Sequence, residues 1–441
     1  MRAAGLIRKP WNVLDFPSPQ PHCNSYYAAT ANVTTGYPPL RGADNCDVCI
    51  VGAGFTGISA ALHLAERGYK VIVLEANRVS WGASGRNGGQ LIGGISGEER
   101  LRKSRGRDIS DLIEKMRWAG HEIIRQRVEK YAIDCDLKFG YMDVAIKPRH
   151  WRDLLEEYES LQRPDFPYET RLVPKQEITG VIGTEAYIGG LINMANGHLH
   201  PLNLCLGEAA AAVQQGAVIH EQSPVVRIEH GNKARVHTES GSVSCDFVVL
   251  AGNAYHRLEA RRLSGFVFPA GSFILATEPL SDEQISEINP LDLAVCDPNH
   301  VLDYFRLSAD RRLLFGGRCN YSGREPDSIR KSILPRMLKI FPQLKGVRID
   351  YEWGGKIGIV INRVPHIGRL DDNIFYSQGY SGHGVNVTHL AGQVVADAIA
   401  GTYERFDVFE KVKHYRIPGG QWVGNQLLAL GMIYFRMLDL L

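Results

Sequence analysis

The sequence predicts an α/β protein in which a domain with a parallel sheet is interleaved with a second domain built on an antiparallel sheet. Three observations predict this fold. An apolar strand, a glycine-rich turn and a helix follow one another over residues 47–67, two further glycine clusters lie at 81–90 and 377–386, and paired apolar strands lie between residues 267 and 317. The chain has 441 residues, of which 44% are hydrophobic, and this is enough to bury two cores.

The first glycine-rich motif is typical of a dinucleotide-binding turn. Residues 48–51 predict a buried parallel strand, which leads directly into the turn. Gly52 permits the tight turn, Gly54 lets the backbone approach a pyrophosphate, and Gly57 lets the following helix pack closely on the sheet. A second apolar strand then ends at Glu75, whose carboxylate can accept hydrogen bonds from both ribose hydroxyls. Acidic Glu75 disfavours the additional phosphate of NADP.

The other two glycine clusters point to a flavin. Residues 81–90 contain four glycines, and such a backbone can approach a flat ring and offer it N–H groups, although an ordinary surface loop is the alternative. Residues 377–386 precede a helix predicted over 387–400, so a second helix N-terminus is also suited to negative charge. One helix for the pyrophosphate and one for a reduced flavin ring would form a single site.

Seven motifs follow one another along the chain: Asn24-Ser-Tyr-Tyr-Ala-Ala-Thr-Ala-Asn32, Gly52-Ala-Gly-Phe-Thr-Gly57, Gly82-Ala-Ser-Gly-Arg-Asn-Gly-Gly-Gln90, Gly197-His-Leu-His-Pro201, Tyr304-Phe-Arg-Leu-Ser-Ala-Asp310, Leu314-Phe-Gly-Gly-Arg318 and Pro365-His-Ile-Gly368. In this order they resemble the FAD-dependent D-amino-acid oxidase (DAO) superfamily, and most closely its gamma-glutamylputrescine oxidase-like branch. The resemblance implies a Rossmann-like FAD-binding domain of the glutathione-reductase type and a substrate domain. It also implies dissociable, non-covalent FAD, because no cysteine lies near Gly358 or Ile359, where the sarcosine-oxidase branch attaches its flavin.

The domains are expected to alternate along the chain. A leader over residues 1–42 is expected to lie on the surface. The FAD-binding domain is expected to take residues 43–130, 197–262 and 350–404, and the substrate domain residues 131–196 and 263–349. A C-terminal helical segment is expected over 405–441, with its apolar residues 427–435 docked on the protein's own core or on a partner.

The predicted FAD-binding residues come from the three glycine clusters, from the end of the second strand and from positions that match the family. They are Gly52, Gly54, Phe55, Thr56, Gly57, Glu75, Ala76, Ala83, Ser84, Gly85, Asn87, Gly88, Gly89, Gln90, Val225, Gly252, Gly379, Tyr380, Gly382, His383, Gly384 and Val385.

Three residues are candidate catalytic groups. Lys356 would place a cation near the ring, to assist oxygen reduction or to bind an acidic substrate tail, although a surface lysine on a strand is the alternative. His383 could donate a hydrogen bond at the ring edge, or its backbone could be what matters. Tyr304 lies in a predicted strand over the ring, where alternation places it on the same face as Arg306.

Two departures from the family pattern bear on the substrate. Asn386 stands where the sarcosine-oxidase branch has a lysine that helps to hold the substrate carboxylate, and Lys356 stands near the arginine of the amino-acid oxidases. An arginine fork grips a carboxylate with two hydrogen bonds, whereas lysine is a point charge. These departures favour a small-molecule primary or secondary amine over a simple alpha-amino acid, and the family resemblance implies gamma-glutamylputrescine or a related amine. Oxidation of its C–N bond would give an imine and then an aldehyde or ketone, with oxygen as acceptor and hydrogen peroxide as product.

Two alternatives remain open. The first is an oxidase or dehydrogenase of amino acids or N-methyl amino acids, which would act on glycine, sarcosine or a D-amino acid and could use another electron acceptor. The second is a flavin-binding interaction protein without turnover, for which the apolar C-terminal segment would be the contact surface.

Composition excludes several other classes. A net charge of +2 without a dense basic stripe disfavours nucleic-acid binding, and no apolar stretch is long enough to predict a membrane span. The N-terminus lacks a secretory apolar core, so a cytoplasmic location is expected. Cys46 and Cys49 are expected on opposite strand faces, so no disulfide is predicted. His198 and His200 lack a third clustered ligand, so no metal is predicted. No particular oligomeric state is indicated.

Overall fold

A computed structural model describes residues 19–33, 36–105, 109–299, 301–320, 326–418, 423–429 and 431. Within these ranges the strands are β1 (Gly42–Val51), β2 (Val71–Leu74), β3 (Gln90–Leu91), β4 (Lys138–Ala145), β5 (Thr170–Pro174), β6 (Gly189–His198), β7 (Val218–His220), β8 (Val225–Glu229), β9 (Ala234–Thr238), β10 (Gly241–Leu250), β11 (Phe268–Thr277), β12 (Ala294–Cys296), β13 (Asp303–Leu307), β14 (Leu313–Asn320), β15 (Ile349–Ile359), β16 (His366–Asp371) and β17 (Ile374–Gln378).

The α-helices over the same ranges are α1 (Tyr26–Ala29), α2 (Phe55–Ala65), α3 (Glu98–Arg105), α4 (Ser110–Lys130), α5 (Pro148–Leu161), α6 (Ile178–Val181), α7 (Pro201–Gln214), α8 (Ala260–Leu263), α9 (Asp282–Ile288), α10 (Ile329–Ile340), α11 (Gly384–Ile399) and α12 (Glu404–Glu410). A further helix spans 423–429. No helix in the described ranges combines the length and the apolar character that crossing a bilayer requires.

The first sheet carries the predicted parallel arrangement. Its strands run in the order β16-β17-β10-β1-β2-β7, with the hairpin of β8 and β9 attached to β10. Strand β1 lies at the centre and pairs in parallel with both β10 and β2. Its last four residues, Val48, Cys49, Ile50 and Val51, are buried because α2 and the neighbouring strands cover them. An apolar run without alternation is what a strand buried on both faces requires.

The second sheet is the predicted antiparallel one, in the order β15-β11-β14-β13-β12-β4-β6-β3 with β5 beside β6. One pair, β12 with β4, is parallel. Strand β15 belongs to this sheet, since it pairs with β11 from Phe268 opposite Ile359 to Thr277 opposite Ile349. The expectation that residues 350–404 all belong to the first domain is therefore wrong for β15. Strand character is a local property of the sequence, whereas the choice of sheet depends on distant partners.

The leader departs from the expectation that it lies on the surface. Helix α1 buries Tyr26 and Tyr27, which are 3% and 0% exposed. Both rings pack in the core shared with α2 and α7, and the indole N–H of Trp81 donates to the carbonyl of Pro21 (2.8 Å). Residues 1–18 lie outside the described ranges. The described part of the leader thus completes the core, because two aromatic rings bury a large apolar area.

An irregularity in β1 changes the predicted orientation of two cysteines. The backbone N–H groups of Asp47 and Val48 both donate to the carbonyl of Lys70, at 2.9 and 3.2 Å. The side chains do not alternate regularly here, since Cys46 belongs to one buried cluster and Val48 to another. Cys46 and Cys49 consequently pack in the same buried cluster as Cys245, so the expectation that they face opposite sides is wrong. All three are free thiols.

The described part of the C-terminal segment packs on the second sheet. Leu428 contacts the cluster formed by Ala270 and Ile359, whereas Leu427 is 52% exposed. Residue 430 and residues 432–441 lie outside the described ranges, and with them most of the apolar stretch 427–435. Docking on the protein's own core is thus seen for Leu428.

A buried charged network joins four helices behind the first sheet. Arg127 of α4 donates to the carboxylate of Glu208 of α7 (2.8 Å) and to the hydroxyl of Ser59 of α2 (3.0 Å). His389 of α11 contacts the second oxygen of Glu208 at 3.1 Å. Burial alone would raise the pKa of Glu208, but the interactions with His389 and Arg127 outweigh it and hold this pKa below its usual value. The network fixes the helices relative to one another.

We expect Glu208→Gln to lower the free energy of unfolding by about 3 kcal/mol, because it leaves the buried Arg127 guanidinium without a countercharge. Urea unfolding followed by circular dichroism measures the change. Glu66→Gln is the matched control, since Glu66 pairs with the exposed Lys130, and it should cost less than about 1 kcal/mol. Equal costs for the two variants would contradict the assignment. Because the pKa of Glu208 is lowered in the folded state, its contribution is present at neutral pH and is lost only as acid protonates Glu208, below its ordinary pKa of 4.5.

Candidate active site

A cavity of about 900 Å³ lies between the two sheets. It opens at the carboxyl ends of parallel strands β1, β2 and β10. It is lined there by Val51 and Leu74, the last residues of β1 and β2, and by Ala251, which directly follows β10. Tyr380, just after the parallel strand β17, lines it as well. The carboxyl edge of a parallel sheet is where ligands bind in α/β folds.

The turn after β1 is shaped for a phosphate. Gly52 has a φ of +106°, a conformation that favours glycine, and Gly52 and Gly54 both line the cavity. Helix α2 begins at Phe55 with Gly54 as its N-cap, so the cap residue provides no side-chain acceptor for the first N–H groups. The N–H of Phe55 instead donates to the hydroxyl of Ser84 (2.9 Å). Free N–H groups and the helix dipole at this end favour an anion.

Glu75 lies where the sequence predicted the ribose to bind. Its two carboxylate oxygens accept the backbone N–H groups of Ala53 (2.8 Å) and Asn77 (2.9 Å). Burial raises the pKa of Glu75, while these two N–H groups act in the opposite direction. Each oxygen keeps acceptor capacity for a hydroxyl, and Glu75 and Ala76 both line the cavity.

The second glycine cluster forms a loop held by its own side chains. Asn87 donates to the carbonyls of Ala83 (3.1 Å) and Ser84 (2.8 Å) and accepts the N–H of Gly89 (2.8 Å). The loop connects the two sheets, because the side chain of Gln90 donates to the carbonyl of Val295 in β12 (3.0 Å). The residues of the loop that line the cavity and were predicted to bind FAD are Ala83, Ser84, Asn87, Gly88 and Gln90.

Arg306 holds this loop in place by hydrogen bonds. Its guanidinium donates to the carbonyls of Gly88 (2.9 Å) and Leu199 (2.8 Å) and to the hydroxyl of Tyr27 (3.2 Å), and the residue is 3% exposed. The alternation of side chains along β13 was expected to place Arg306 on the same face as Tyr304. The ring of Tyr304 lies on the cavity side of the loop. A Cβ at Gly88 would meet the ring of Tyr304 at 2.5 Å. Only glycine at this position allows so close an approach.

The third glycine cluster contributes a second helix N-terminus. Tyr380 is fixed by hydrogen bonds of its hydroxyl with Thr56 (2.6 Å) and Ser377 (2.7 Å). Helix α11 starts at Gly384, and its N-cap residue His383 makes no side-chain capping bond. The predicted residues of this cluster that line the cavity are Tyr380, Gly382, His383, Gly384 and Val385. Two helix N-termini therefore face one cavity, as the sequence predicted.

Four predicted FAD-binding glycines do not line the cavity. A Cβ at Gly57 would meet the carbonyl oxygen of Gly52 at 1.9 Å, and one at Gly85 would meet that of Ser80 at 2.3 Å. The remaining two, Gly89 and Gly379, have φ angles of +70° and +77° and pack against Leu199 and Val360. These glycines allow the close packing that shapes the cavity walls. Thr56, Val225 and Gly252 line the cavity as predicted, and binding of FAD by any of these residues stays a prediction.

The three candidate catalytic residues are placed differently. Tyr304 and His383 line the cavity. Burial and the charge of Arg363 lower the pKa of His383 below 6.5, so its imidazole is neutral at pH 7. Lys356 does not line the cavity: it is 8% exposed, whereas its neighbours Gly355 and Ile357 line it. Alternation along β15 turns Lys356 to the other face, so its predicted role near the ring has no support from its position.

Two further sequence hypotheses can be located. Asn386 does not line the cavity, because it is buried and its amide donates to the carbonyls of Gly94 (3.1 Å) and Arg117 (2.8 Å). It cannot hold a substrate carboxylate from there. His200 caps α7 by accepting the N–H of Asn203 (3.1 Å), and His198 contacts the carbonyl of Asp292 (3.0 Å). Both histidines thus have structural partners.

Sequence reasoning missed part of the cavity wall. The segment after Gly252 contributes Asn253, Tyr255 and His256, which follow a strand that was already predicted to end in glycine. That signal could have extended the prediction along the chain. The second sheet contributes Tyr141, Asp143, Ser272 and Cys296, and only their three-dimensional placement identifies them.

The residues present fit FAD. The cavity has the volume of a ligand pocket, two helix N-termini for negative charge, and a buried carboxylate at the end of β2. The walls between them are mostly backbone of the glycine clusters and can lie against a flat ring. The predicted site residues thus converge on one cavity, apart from Lys356 and the four glycines named above.

Comparison with known proteins identifies the class. The family model of the DAO FAD-dependent oxidoreductases matches residues 47–398. The chain is 43% identical over 421 residues to the gamma-glutamylputrescine oxidoreductase of Escherichia coli, and the match covers 95% of this chain and 98% of that protein. It is also 43% identical over 427 residues to a probable oxidoreductase, OrdL, of Haemophilus influenzae, with the same coverage of both chains. The protein therefore belongs to the DAO family of FAD-dependent oxidoreductases.

Solved structures show the same fold. The crystal structure of glycine oxidase from Geobacillus kaustophilus superposes with a TM-score of 0.70 at 21% identity, over 84% of this chain and 100% of that one. L-proline dehydrogenase from P. horikoshii superposes with a TM-score of 0.67 at 20% identity, over 84% and 98%. The predicted fold class, family and cofactor are confirmed.

We expect Gly57→Ala to lower the free energy of unfolding by about 3 kcal/mol and to reduce the FAD content of the purified protein, because the new methyl group displaces the Gly52 turn. The ratio of flavin to protein absorbance measures retention. Gly180→Ala is the matched control, since no atom lies within 4 Å of the position its Cβ would take. Normal flavin content in Gly57→Ala would contradict the packing argument.

We expect Arg306→Lys to lower the free energy of unfolding by at least about 2 kcal/mol and to weaken FAD retention. One ammonium group cannot replace the donors to Gly88, Leu199 and Tyr27. Thermal unfolding with and without added FAD measures both effects. Arg311→Lys changes the same group at an exposed position, paired with Asp282, and should leave the midpoint unchanged. A midpoint shift of the same size in both variants would contradict the assignment.

Proposed function

We propose that the protein oxidises the primary amine of a gamma-glutamylated diamine, with gamma-glutamylputrescine as its reference substrate. The amine carbon loses a hydride and the nitrogen loses a proton, which gives an imine that water converts to an aldehyde and ammonia. FAD, when bound, supplies the two-electron acceptor for this oxidation. Molecular oxygen is the proposed final acceptor and is reduced to hydrogen peroxide.

The relatives support this substrate class. The Escherichia coli gamma-glutamylputrescine oxidoreductase is similar over almost the full length of both chains. Glycine oxidase shares the fold at 21% identity, and a shared fold alone does not assign a substrate.

The proposal rests on one observation: in the described part of the chain, the cavity wall contributed by the second sheet has no cationic clamp for a carboxylate, and the arginines that line the cavity, Arg86, Arg227 and Arg257, come from the FAD-binding side. Among the described residues that the second sheet contributes to the cavity, none is lysine or arginine. Related branches hold a substrate carboxylate at the positions of Asn386 and Lys356. Both of these residues lie outside the cavity in this protein. An alpha-amino acid would therefore leave its carboxylate without a charged donor in this wall, at a high cost in desolvation. An amine without a carboxylate next to the oxidised carbon avoids this cost at its reacting end.

The chain's own residues prepare the cavity for an amine. Hydride is lost from a neutral amine, and neutral His383 adds no positive charge that would repel an incoming ammonium group. The hydroxyls of Tyr304 and Ser272, 3.3 Å apart, line the roof and can hydrogen-bond the nitrogen. The second sheet covers the cavity and limits the access of water.

The location and the attachment of FAD follow the same reasoning. We propose non-covalent FAD, which acid precipitation would release into the supernatant as free FAD. We also propose a cytoplasmic location, where the free thiols of Cys46, Cys49 and Cys245 would remain reduced.

The test is the visible spectrum of the purified protein during anaerobic addition of single amines. Bleaching by gamma-glutamylputrescine, followed by recolouring in air with release of peroxide, supports the proposal. Bleaching that air does not reverse indicates a dehydrogenase with another acceptor. Faster bleaching by glycine, sarcosine or D-alanine overturns the substrate class, and a yellow protein that no amine bleaches overturns the enzymatic assignment.

We expect kcat/KM for gamma-glutamylputrescine to exceed that for glycine and for sarcosine by at least about tenfold, because the wall of the second sheet lacks a cationic partner for their carboxylates. Peroxide release or oxygen uptake measures the ratios. Butylamine serves as a control without any carboxylate, and it should be oxidised faster than glycine. A preference for glycine over butylamine would contradict the reasoning.

A further inference from the structure

The roof of the cavity contains a carboxyl group. Asp143 of β4 is the one acidic residue that the second sheet contributes to the cavity in the described part of the chain. Two other acids line the cavity, Glu75 at the ribose end and Glu259 beside the segment 225–228, and both belong to the FAD-binding side. Tyr141 shares the face of Asp143, as alternation along a strand requires, and also lines the cavity.

The register of the second sheet separates Asp143 from Tyr304 by two strand spacings. Asp143 is the partner of Cys296 in β12, and Cys296 is the partner of Tyr304 in β13. Neighbouring strands lie about 4.8 Å apart, so the backbone of Asp143 is about 10 Å from that of Tyr304. The ring of Tyr304 contacts Gly88 of the loop, whereas Asp143 lies two strands farther along the roof. A group bound at Asp143 is therefore about 10 Å from the point where the ring of Tyr304 meets Gly88 of the loop.

Asp143 has neutral partners on the protein side. The hydroxyl of Tyr141 donates to it at 3.3 Å, and Cys296 contacts the carbonyl of Asp297. No lysine or arginine of the described ranges forms an ion pair with Asp143. Burial, followed by the negative charge of Glu157, raises the pKa of Asp143 to about 8. At neutral pH this pKa keeps Asp143 mostly protonated, and an ammonium group bound beside it would lower the pKa and favour the ionised form.

We propose that Asp143 binds a cationic ammonium group at the non-reacting end of the amine substrate. This inference rests on the proposed function and specifies its substrate class as amines that carry a second positive charge remote from the oxidised carbon. In gamma-glutamylputrescine the bound group is the alpha-ammonium of the glutamyl end. In a free polyamine it would be a second amine. Asp143 is thus a specificity-determining residue and takes no part in proton or hydride transfer.

The test compares two substrates that differ in this one group. N-glutarylputrescine has the same chain as gamma-glutamylputrescine but lacks the alpha-ammonium. In the wild-type protein we expect kcat/KM for gamma-glutamylputrescine to be larger by roughly ten- to a hundredfold, with most of the difference in KM. In Asp143→Asn this ratio of kcat/KM values should fall to about one, because kcat/KM should fall for gamma-glutamylputrescine and not for N-glutarylputrescine. In Asp143→Glu, which keeps an ionisable carboxyl group, the ratio should remain above one.

Matched variants and outcomes make the test decisive. Glu156→Gln removes an exposed acid from α5 outside the cavity and should leave the ratio unchanged. A wild-type ratio of one or less overturns the inference even if Asp143→Asn does not fold. Equal loss of both substrates in a folded, FAD-containing Asp143→Asn also overturns it. If the wild-type protein oxidises neither compound, the proposed function itself has failed, which is a different result from oxidation of both without discrimination.

Discussion

The site depends on the hydrogen bonds of the Arg306 guanidinium, because this group lies at the point where the two sheets meet. It satisfies the carbonyls of Gly88 and Leu199, which would otherwise be buried without donors, and it joins both to Tyr27 of the leader. The loop held in this way places Ser84 at the N-terminus of α2 and Gln90 against β12. One buried cation thus positions the phosphate-binding end and the roof of the cavity together.

The predictable parts of this protein are those that short stretches of sequence determine. The β1-turn-α2-β2 unit, the acid at its end and the two other glycine clusters all follow from local patterns, and the cavity forms where they converge. The resemblance to the DAO superfamily extended this prediction to the cofactor, FAD. The errors arise where distant partners decide. Three features depend on contacts with other segments: the sheet to which β15 belongs, the face on which Lys356 lies and the packing of Cys49 with Cys46.

Asp143 shows the limit of sequence reasoning most clearly. Nothing next to it in the chain marks it as a site residue, since its strand has the ordinary pattern of a sheet. It becomes notable only because β4, β12 and β13 lie side by side and bring it into line with Cys296 and Tyr304 over one cavity. The fold shared with glycine oxidase and L-proline dehydrogenase provides the frame for such a row, and the side chains along it distinguish one enzyme from another.

The order in which the sheets draw on the chain has a consequence for folding. Strands of the first sheet come from segments 42–74, 218–250 and 366–378, and the intervening segments build the second sheet. Neither sheet can be completed by a continuous stretch of polypeptide, so the contacts that close the cavity join residues very distant in sequence. The flavin-binding half is therefore not a separable module. During synthesis the central strand β1 is made long before β17, so the first sheet cannot be completed until β17 has been synthesised.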